Sequence, residues 1–413
     1  MSEVNNIPEG WVETTLGDVV ERITKGTTPK IFSSNSEDVN YVKSDALNYG
    51  GILDNSKFVK ITKEINEELK RSQLKTNDIL ISMAGEYLGK TGLVKEEHLP
   101  ANTNQAVAIV TVNKSLVNHL FIWYKLRDLS TVKYFNSIPS QSAQPNINFQ
   151  EIRSLSINCP TIPEQKSIAA ILTSFDNKIE LLQAQNKTLE ETAQTIFKEW
   201  FDKYQIGDEL PEGWRVGKLG EEFDISIGRT PPRLETEWFS KVPVGKKWIS
   251  IKDIGNSGIY IDNTSEYLTD EAIKKFNIPI IPKNTTILSF KMTVGKLTIT
   301  TEDMLSNEAI AHLKIKYNSV LSSEFIYLYL QKLDFNALGS TSSIVTAINS
   351  TMIKELEIIV PDSDILKRFN QVILSLFNKI RTNSTQIQTL TQTRDELLPK
   401  LMSGEIRVSE FNG

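Results

Sequence analysis

The stretch of this 413-residue chain closest to a phosphate-handling site is Ala84-Gly85-Glu86-Tyr87-Leu88-Gly89-Lys90-Thr91. A relaxed P-loop there would cradle phosphates with backbone amides and Lys90. However, its first position is Ala, and Gly92-Leu93-Val94 reads as strand where a P-loop needs a helix. The counterpart later in the chain, Val294-Gly295-Lys296-Leu297, lacks the metal-binding hydroxyl. A tight turn between two strands is the expected structure. Asp54 with Glu68-Leu69-Lys70 mimics a nuclease set, but Ile61 to Leu69 reads as a charged helix, whereas that chemistry needs a strand presenting carboxylates to a metal. His98, His119 and His312 are scattered away from Cys159, the only cysteine, so no metal spacing arises. There is no Gly-rich loop of the adenosylmethionine-binding type. Nor is there an Asn/Asp-Pro-Pro-aromatic base-methylation motif, since the only Pro-Pro, Pro231-Pro232, follows Thr230. The chain reads as non-catalytic.

What remains are side chains suited to contacting nucleic acid. Arg, Lys, Asn, Gln and hydroxyls on loops read base edges and hold phosphates. Lys25-Gly26-Thr27-Thr28-Pro29-Lys30 and Gly228-Arg229-Thr230-Pro231-Pro232-Arg233 are two basic loops of one pattern. Ser140-Gln141-Ser142-Ala143-Gln144 and Ser340-Thr341-Ser342-Ser343 are two polar loops of another. The candidate contacts are Lys25, Thr27, Thr28, Lys30, Lys43, Lys90, Gln141, Ser142 and Gln144 in the first half. In the second they are Arg229, Thr230, Arg233, Lys252, Lys296, Ser340, Thr341, Ser342 and Ser343. The basic loops are assigned to phosphates and the polar loops to bases.

These pairs exist because the chain is written twice. Pro8-Glu9-Gly10-Trp11 returns 203 residues later as Pro211-Glu212-Gly213-Trp214. The series continues in order. Lys43-Ser44-Asp45 matches Ile251-Lys252-Asp253, and Ile79-Leu80-Ile81-Ser82 matches Thr286-Ile287-Leu288-Ser289. Asn104-Gln105-Ala106 matches Asn307-Glu308-Ala309, and Asn177-Lys178-Ile179 matches Asn378-Lys379-Ile380. Such a period is far above the ~20–50 residues of a solenoid repeat. The fold expected is α+β. Two α/β recognition domains, 1–160 and 205–361, are separated by a helix over 161–204, and a second helix and tail follow over 362–413. Residues 118–135 are expected to be helical, with Phe325, Leu328, Tyr329 and Leu333 on the equivalent helix.

The two long helices carry heptad seams. The first opens after Pro163 and runs to about Tyr204, with Ile168, Leu172, Phe175, Ile179, Leu182, Asn186, Leu189, Ala193, Ile196 and Trp200 at alternating spacings of four and three. The second, from about Asp364 to Met402, has Phe369, Ile373, Leu376, Ile380, Asn383, Ile387, Leu390, Arg394, Leu397 and Leu401. Pro399 is expected to kink or fray its last turn. The polar breaks decide the pairing. In parallel, Asn186 and Asn383 would each face an apolar residue, at about 1–3 kcal/mol per unsatisfied amide. Antiparallel, they meet. That register also sets Trp200 against Phe369 and Arg394 against Phe175, where its guanidinium would snorkel outward. The result is an antiparallel coiled coil about 50 Å long at 1.5 Å per residue, with two similar domains at opposite ends in pseudo-two-fold relation.

Composition narrows the class. Hydrophobic residues at 39% and charged residues at 23% suit a soluble globular protein of about two to four domains. No apolar run reaches 18 residues and no secretion signal opens the chain, so a membrane is not a partner, and one cysteine fits a reducing cytoplasm. A net charge of −5 is unfavourable for a protein that holds nucleic acid unaided, so partners are expected to supply basic surface.

This arrangement resembles the specificity subunit of type I restriction-modification systems. The resemblance rests on the order domain, helix, domain, helix and on local signatures. These are the two Pro-Glu-Gly-Trp openings, Pro163-Glu164-Gln165, Phe197-Lys198-Glu199-Trp200-Phe201, and Arg394-Asp395-Glu396-Leu397-Leu398-Pro399-Lys400-Leu401 with Ser403-Gly404-Glu405-Ile406. The second helix departs from it, because Pro361-Asp362-Ser363-Asp364 lacks the Glu-Gln pair. The resemblance implies a non-catalytic subunit whose domains each read one half of an interrupted site in double-stranded DNA. It implies helices that set the gap and dock two methyltransferase subunits, and a larger complex with restriction/motor subunits. S-adenosylmethionine, ATP and Mg would then belong to those partners, with no cofactor on this chain. The rival readings are a P-loop ATPase using Lys90 and an adaptor that binds only protein. The purified chain is expected to transfer no methyl group and hydrolyse no ATP; stoichiometric S-adenosylmethionine binding in calorimetry would overturn this.

Overall fold

The computed structural model describes residues 7–139, 145–317, 319–335 and 348–408. Two compact units emerge, residues 1–179 with 389–413, and residues 180–388.

The first unit carries β1 (Val12–Thr15), β2 (Val20–Lys25), β3 (Val39–Val42), β4 (Val59–Ile61), β5 (Ile79–Ser82), β6 (Thr91–Leu93), β7 (Ala101–Thr103), β8 (Val107–Val112) and β9 (Ser156–Cys159). An antiparallel sheet has the order β2-β8-β5-β6. A second has β4-β3-β7, with β3 and β7 parallel, and β1 pairs with β9. Strand β8 can be central because it is apolar on both faces. Ala108 and Val110 enter the main core, while Val107 and Ile109 enter the cluster under the second sheet. The helices are α1 (Lys63–Glu68), α2 (His119–Arg127), α3 (Leu129–Ser137), α4 (Phe149–Arg153) and, as far as Ile179, the long α5 (Ile162–Phe201). The single helix expected over 118–135 is two. Asp128 ends α2 by donating its backbone N–H to the Tyr124 and Lys125 carbonyls (3.0 and 3.3 Å), and its carboxylate caps α3 at the Ser130 N–H (3.3 Å).

The second unit repeats this plan. Its strands are β10 (Arg215–Lys218), β11 (Phe223–Ile227), β12 (Phe239–Ser240), β13 (Lys246–Ile249), β14 (Tyr260–Ile261), β15 (Glu266–Leu268), β16 (Thr286–Ser289), β17 (Leu297–Thr300), β18 (Leu305–Ser306), β19 (Ile310–Ile315) and β20 (Glu357–Val360). Order β11-β19-β16-β17 gains β14 at its edge, β15-β13-β18 gains β12, and β10 pairs with β20. Its helices are the rest of α5, α6 (Leu219–Glu222), α7 (Ile251–Asn256), α8 (Asp270–Lys275), α9 (Ser323–Gln331), α10 (Ser350–Glu355) and, as far as Gln388, α11 (Ser363–Ser403). Leu333 lies beyond α9 rather than on it. Strand register also moves one expected match by a residue. Val42 lies opposite Thr103 and Ile249 opposite Ser306, so Lys43 corresponds to Ser250, and Lys252 is not its equivalent.

Helix α5 starts at Ile162, with Pro163 in its first turn, where a missing N–H costs nothing. It ends at Phe201 rather than Tyr204, and α11 continues through Pro399. In the second unit Asn383 Nδ2 donates to Asn186 Oδ1 at 2.9 Å, Asn186 Nδ2 donates to Ser384 Oγ at 3.3 Å, and the Trp200 and Phe369 rings meet at 5.8 Å. The helices pair antiparallel there in the expected register. In the first unit the early part of α5 meets the late part of α11, again antiparallel. Arg394, however, does not snorkel. It is 8% exposed and donates to Asp176 Oδ1 at 2.7 Å and to Asp395 Oδ1 at 2.9 and 2.7 Å. Asp176 also accepts from Arg127 (2.6 Å) and from the Tyr124 hydroxyl (2.8 Å). A seam drawn by apolar spacing hides this, because Asp176 flanks the seam. Burial pushes the Asp176 carboxyl up, but Arg127 and then Arg394 outweigh it and hold it below the ordinary carboxylate range. That stabilisation is present above the unfolded carboxylate pKa and is lost as pH falls through the lowered folded value.

The seams also omit a second buried stripe, Phe197, Phe201, Leu366, Phe377, Leu398 and Met402, by which the helices enter the cores of the units. The departure at the second helix start has a packing reason. Gln165 is buried and ties the Asn118 N–H (2.8 Å) to the Pro160 carbonyl (2.9 Å), while its counterpart Leu366 is fully apolar. Asp362 instead caps α11 at the Asp364 and Ile365 amides (2.9 and 3.0 Å).

Asn383 is fully buried and its Oδ1 has no partner, whereas Asn186 is half-buried. Asn186→Leu should therefore cost more than Asn383→Leu, by up to about 1–3 kcal/mol. The double Leu variant should be neutral or stabilising. Additive melting shifts in the double-mutant cycle would contradict the pairing.

Candidate nucleic-acid interface

In the first unit, three loops converge after β2, after β5 and after β7. Gly26 leaves β2 with its N–H on the Asn104 carbonyl (3.1 Å), and a Cβ here would sit 1.6 Å from the Thr103 carbonyl oxygen, so only glycine fits. The Thr28 N–H donates to Gln105 Oε1 at 3.0 Å, and the Thr28 hydroxyl donates to the same oxygen. The buried Tyr41 hydroxyl donates to the Thr27 carbonyl at 2.9 Å, and burial pushes its pKa up to about 12. The β5–β6 hairpin is tied to the 145–147 segment through Gly85 N–H to Pro145 O and Ile147 N–H to Met83 O, both 2.9 Å. These segments enclose a cleft of about 320 Å³ lined by Lys25, Met83, Ala84, Gln105, Ala106, Asn146, Ile147, Asn148 and Phe149. Lys25 Nζ lies 6.0 Å from the Phe149 ring centre.

The second unit builds the same loop on the same plan. Arg229 N–H meets the Ser306 carbonyl at 2.9 Å, and a Cβ on Gly228 would lie 2.2 Å from that oxygen. The Thr230 hydroxyl donates to the Glu308 carboxylate, matching Thr28 on Gln105. The Thr230 hydrogen bond, outweighing partial burial and aided by Lys291 and Arg233 nearby, lowers the Glu308 pKa, so Glu308 is a charged acceptor where Gln105 is a neutral amide.

The other candidates differ in exposure and in what they bond. Lys25, Thr27, Thr28 and Lys30 are exposed on the first loop, and Lys252 and Lys296 are exposed in the second unit. Lys43 is half-buried with Asp45 at 3.8 Å, and Lys90 Nζ lies 5.2 Å from the Tyr49 ring. Arg229 is used internally, donating to the Phe276 carbonyl at 2.6 Å. Arg233 is likewise committed, to Glu266 at 2.8 and 3.1 Å and to the Phe239 and Trp248 rings at 4.2 and 4.5 Å. Gln141, Ser142, Gln144, Ser340, Thr341, Ser342 and Ser343 lie outside the described residues. Gln105 and Glu308, absent from the sequence candidates, hold the two basic loops through Thr28 and Thr230; the repeated Asn-Gln/Asn-Glu is the sequence signal that marks them.

The catalytic mimics dissolve. Residues 84–91 form the β5–β6 turn, Thr91 is buried in a strand, and no helix follows. Asp54 accepts from the Ser56 N–H and hydroxyl (3.1 and 2.6 Å), and Glu68 ends α1. Among the described residues, no three His, Cys, Asp or Glu side chains are grouped to hold a metal, and no helix is long and apolar enough to cross a membrane. Burial raises the Cys159 pKa to about 11 and lowers that of His312 to about 3, so the first stays a thiol and the second stays neutral.

The chain is thus written twice, and both copies build the same loop on the same plan. The family model of the type I restriction modification DNA specificity domain matches residues 8–191 and again 211–393. The chain belongs to this family and is a type I restriction-modification specificity subunit with two recognition domains. It is 25% identical to the MjaIX specificity subunit of Methanocaldococcus jannaschii, covering 99% of this chain and 96% of that one. It is 26% identical to the HindI specificity subunit of Haemophilus influenzae, covering 96% and 99%. The crystal structure of a type I S subunit from M. genitalium shares the fold, with a TM-score of 0.57 at 17% identity over 97% of this chain and 98% of that one.

Gly26→Ala and Gly228→Ala should each lower the unfolding midpoint of the affected unit, at a cost of about 1–3 kcal/mol or more, because backbone oxygens block the new methyl. Gly255→Ala, with open space around its Cβ, is the neutral control in the same thermal melts.

Proposed function

We propose that each recognition domain reads one half of a bipartite, interrupted site in double-stranded DNA, and that the paired helices set the half-site spacing and dock two methyltransferase subunits. The single observation that carries this reading is the recurrence of one face with different side chains. Gln105 in the first unit and Glu308 in the second occupy the same place against Thr28 and Thr230. An amide presents both donor and acceptor atoms, and an ionised carboxylate only acceptors. Faces so different suit two unlike half-sites rather than an inverted repeat. Spacer helices α5 and α11 of 40 and 41 residues support a shared ruler. Restriction/motor subunits complete the assembly in the cytoplasm, with S-adenosylmethionine, ATP and Mg on the partners.

Mapping methylated bases in cells that express this chain with its methyltransferase tests the reading. The expected motif is asymmetric and interrupted, and a continuous or palindromic motif would overturn it. The net charge of −5 gives a second expectation. The chain alone should bind DNA weakly, with strong salt dependence, and the partner should tighten specific binding by at least about 10³-fold, within the range that separates specific from non-specific affinity. Titrations with and without the partner measure this, and unchanged affinity would refute the docking role.

A further inference from the structure

Four residues other than glycine take positive φ among those described: Asn77, Asn277, Asn284 and Met292. Three are asparagine, which tolerates the left-handed region. Met292, with φ of 62°, is the anomaly. It tips the β16–β17 hairpin. The hairpin is closed without it, by the Ser289 N–H on the Lys296 carbonyl and the Gly295 N–H on the Ser289 carbonyl, both 2.9 Å. Met292 is 92% exposed, so no packing within the unit holds it in a strained conformation. The first unit shows what the hairpin alone requires. Counted from the leading strand, where Met83 and Phe290 make the same bond to Ala106 and Ala309, Gly85 takes the Met292 position in a loop one residue longer, with φ of 70° and nothing within 4 Å of a Cβ built there. Glycine satisfies the turn, and the second unit instead holds out an unbranched apolar side chain. Exposed Lys291 precedes it and exposed Lys296 follows the turn, and the Phe290 N–H donates to the Ala309 carbonyl at 3.0 Å, next to Glu308, so the tip belongs to the same face as Thr230 and Glu308.

We propose that Met292 is a base-contacting residue of the second recognition face. Its thioether lies against an apolar feature of the DNA groove while Lys291 and Lys296 take flanking phosphates. The proposal rests on the DNA-reading function above and adds to it the residue and the contact. A groove offers two apolar features, the thymine methyl and, at an opened step, a base face. Strain at the tip is tolerated because the contact is made outside the chain.

The test uses the complex with the methyltransferase, on the duplex found by methylation mapping and on an unrelated duplex. Met292→Gly should weaken binding to the cognate duplex about ten-fold, the scale of one lost base contact. Binding to the unrelated duplex should stay unchanged, and the melting midpoint should be equal or higher because strain is relieved. Met292→Leu should stay within about two-fold of wild type, since it keeps the apolar contact. No loss on the cognate duplex, or an equal loss on both, would overturn the proposal. Deoxyuridine in place of each thymine of the second half-site identifies the feature. If the penalty disappears in Met292→Gly the contact is the methyl; if it persists the contact is a base face. A wild-type complex with no preference between the duplexes would instead sink the half-site reading.

Discussion

Antiparallel pairing of α5 and α11 is the constraint on which the rest depends. A helix 40 residues long with an apolar stripe cannot stand alone in water; its stripe must be covered. Here each helix is covered twice, by the other helix along the seam and by a recognition unit along the flanking stripe. The flanking contacts make the helices part of the folded cores. Trp11, turned inward by the Pro8–Gly10 turn, shares a core with Leu398, Leu401 and Met402, and Arg407 holds Glu164 at 2.8 and 3.1 Å. In the second unit Phe197 and Phe201 pack on Phe325 and Phe369 with ring centres 4.8 to 5.8 Å apart.

Duplication has not left the two ends interchangeable. The position of Asp176 on α5 is held on α11 by Phe377, which packs on Tyr260 and Tyr327 at 6.4 and 6.0 Å. Arg394 answers to Ala193, and Arg127 answers to Gln331, which bonds neutral Gln194 and Glu190 at 3.1 and 2.8 Å. One unit thus closes on a buried ion network and the other on rings and amides. A buried carboxylate without its guanidinium is costly, typically about 3–5 kcal/mol when a partner is removed. Leu398 and Met402 likewise stand where the other end has Phe197 and Phe201, and overfilling a core costs about 1–3 kcal/mol. These differences assign each helix end to one unit.

Much of this was legible in the sequence because it depends on period and repetition. The duplication, the helix pairing and the Asn186–Asn383 contact follow from spacing alone. The hairpin at 84–91 was legible because the residues after it are strand-like. The ion network was not, because Asp176 and Arg127 are brought together only by tertiary packing. Asp128 was hidden for a local reason: one side chain ends one helix and begins the next inside an apolar run. At the candidate interface the two basic loops were legible as one repeated structure, and what their side chains bond within each unit was not. Arg229 and Arg233 read as free cations, yet both are spent on carbonyls, a carboxylate and rings of their own unit. Gln105 and Glu308 read as landmarks, yet they line the faces.

The first unit is assembled from two stretches of chain separated by the whole of the second, and that sets an order on its birth. A ribosome delivers residues 1–179 early, but Leu398 and Met402 of α11 and Val408 after it, which close their core, are made more than 200 residues later. The second unit, residues 180–388, is complete before those residues are translated. The unit written first is therefore finished last, and a polypeptide released early holds an unclosed apolar surface that invites aggregation or degradation. Folding itself acts as a check on synthesis: only a product that carries the late part of α11 can close the first unit.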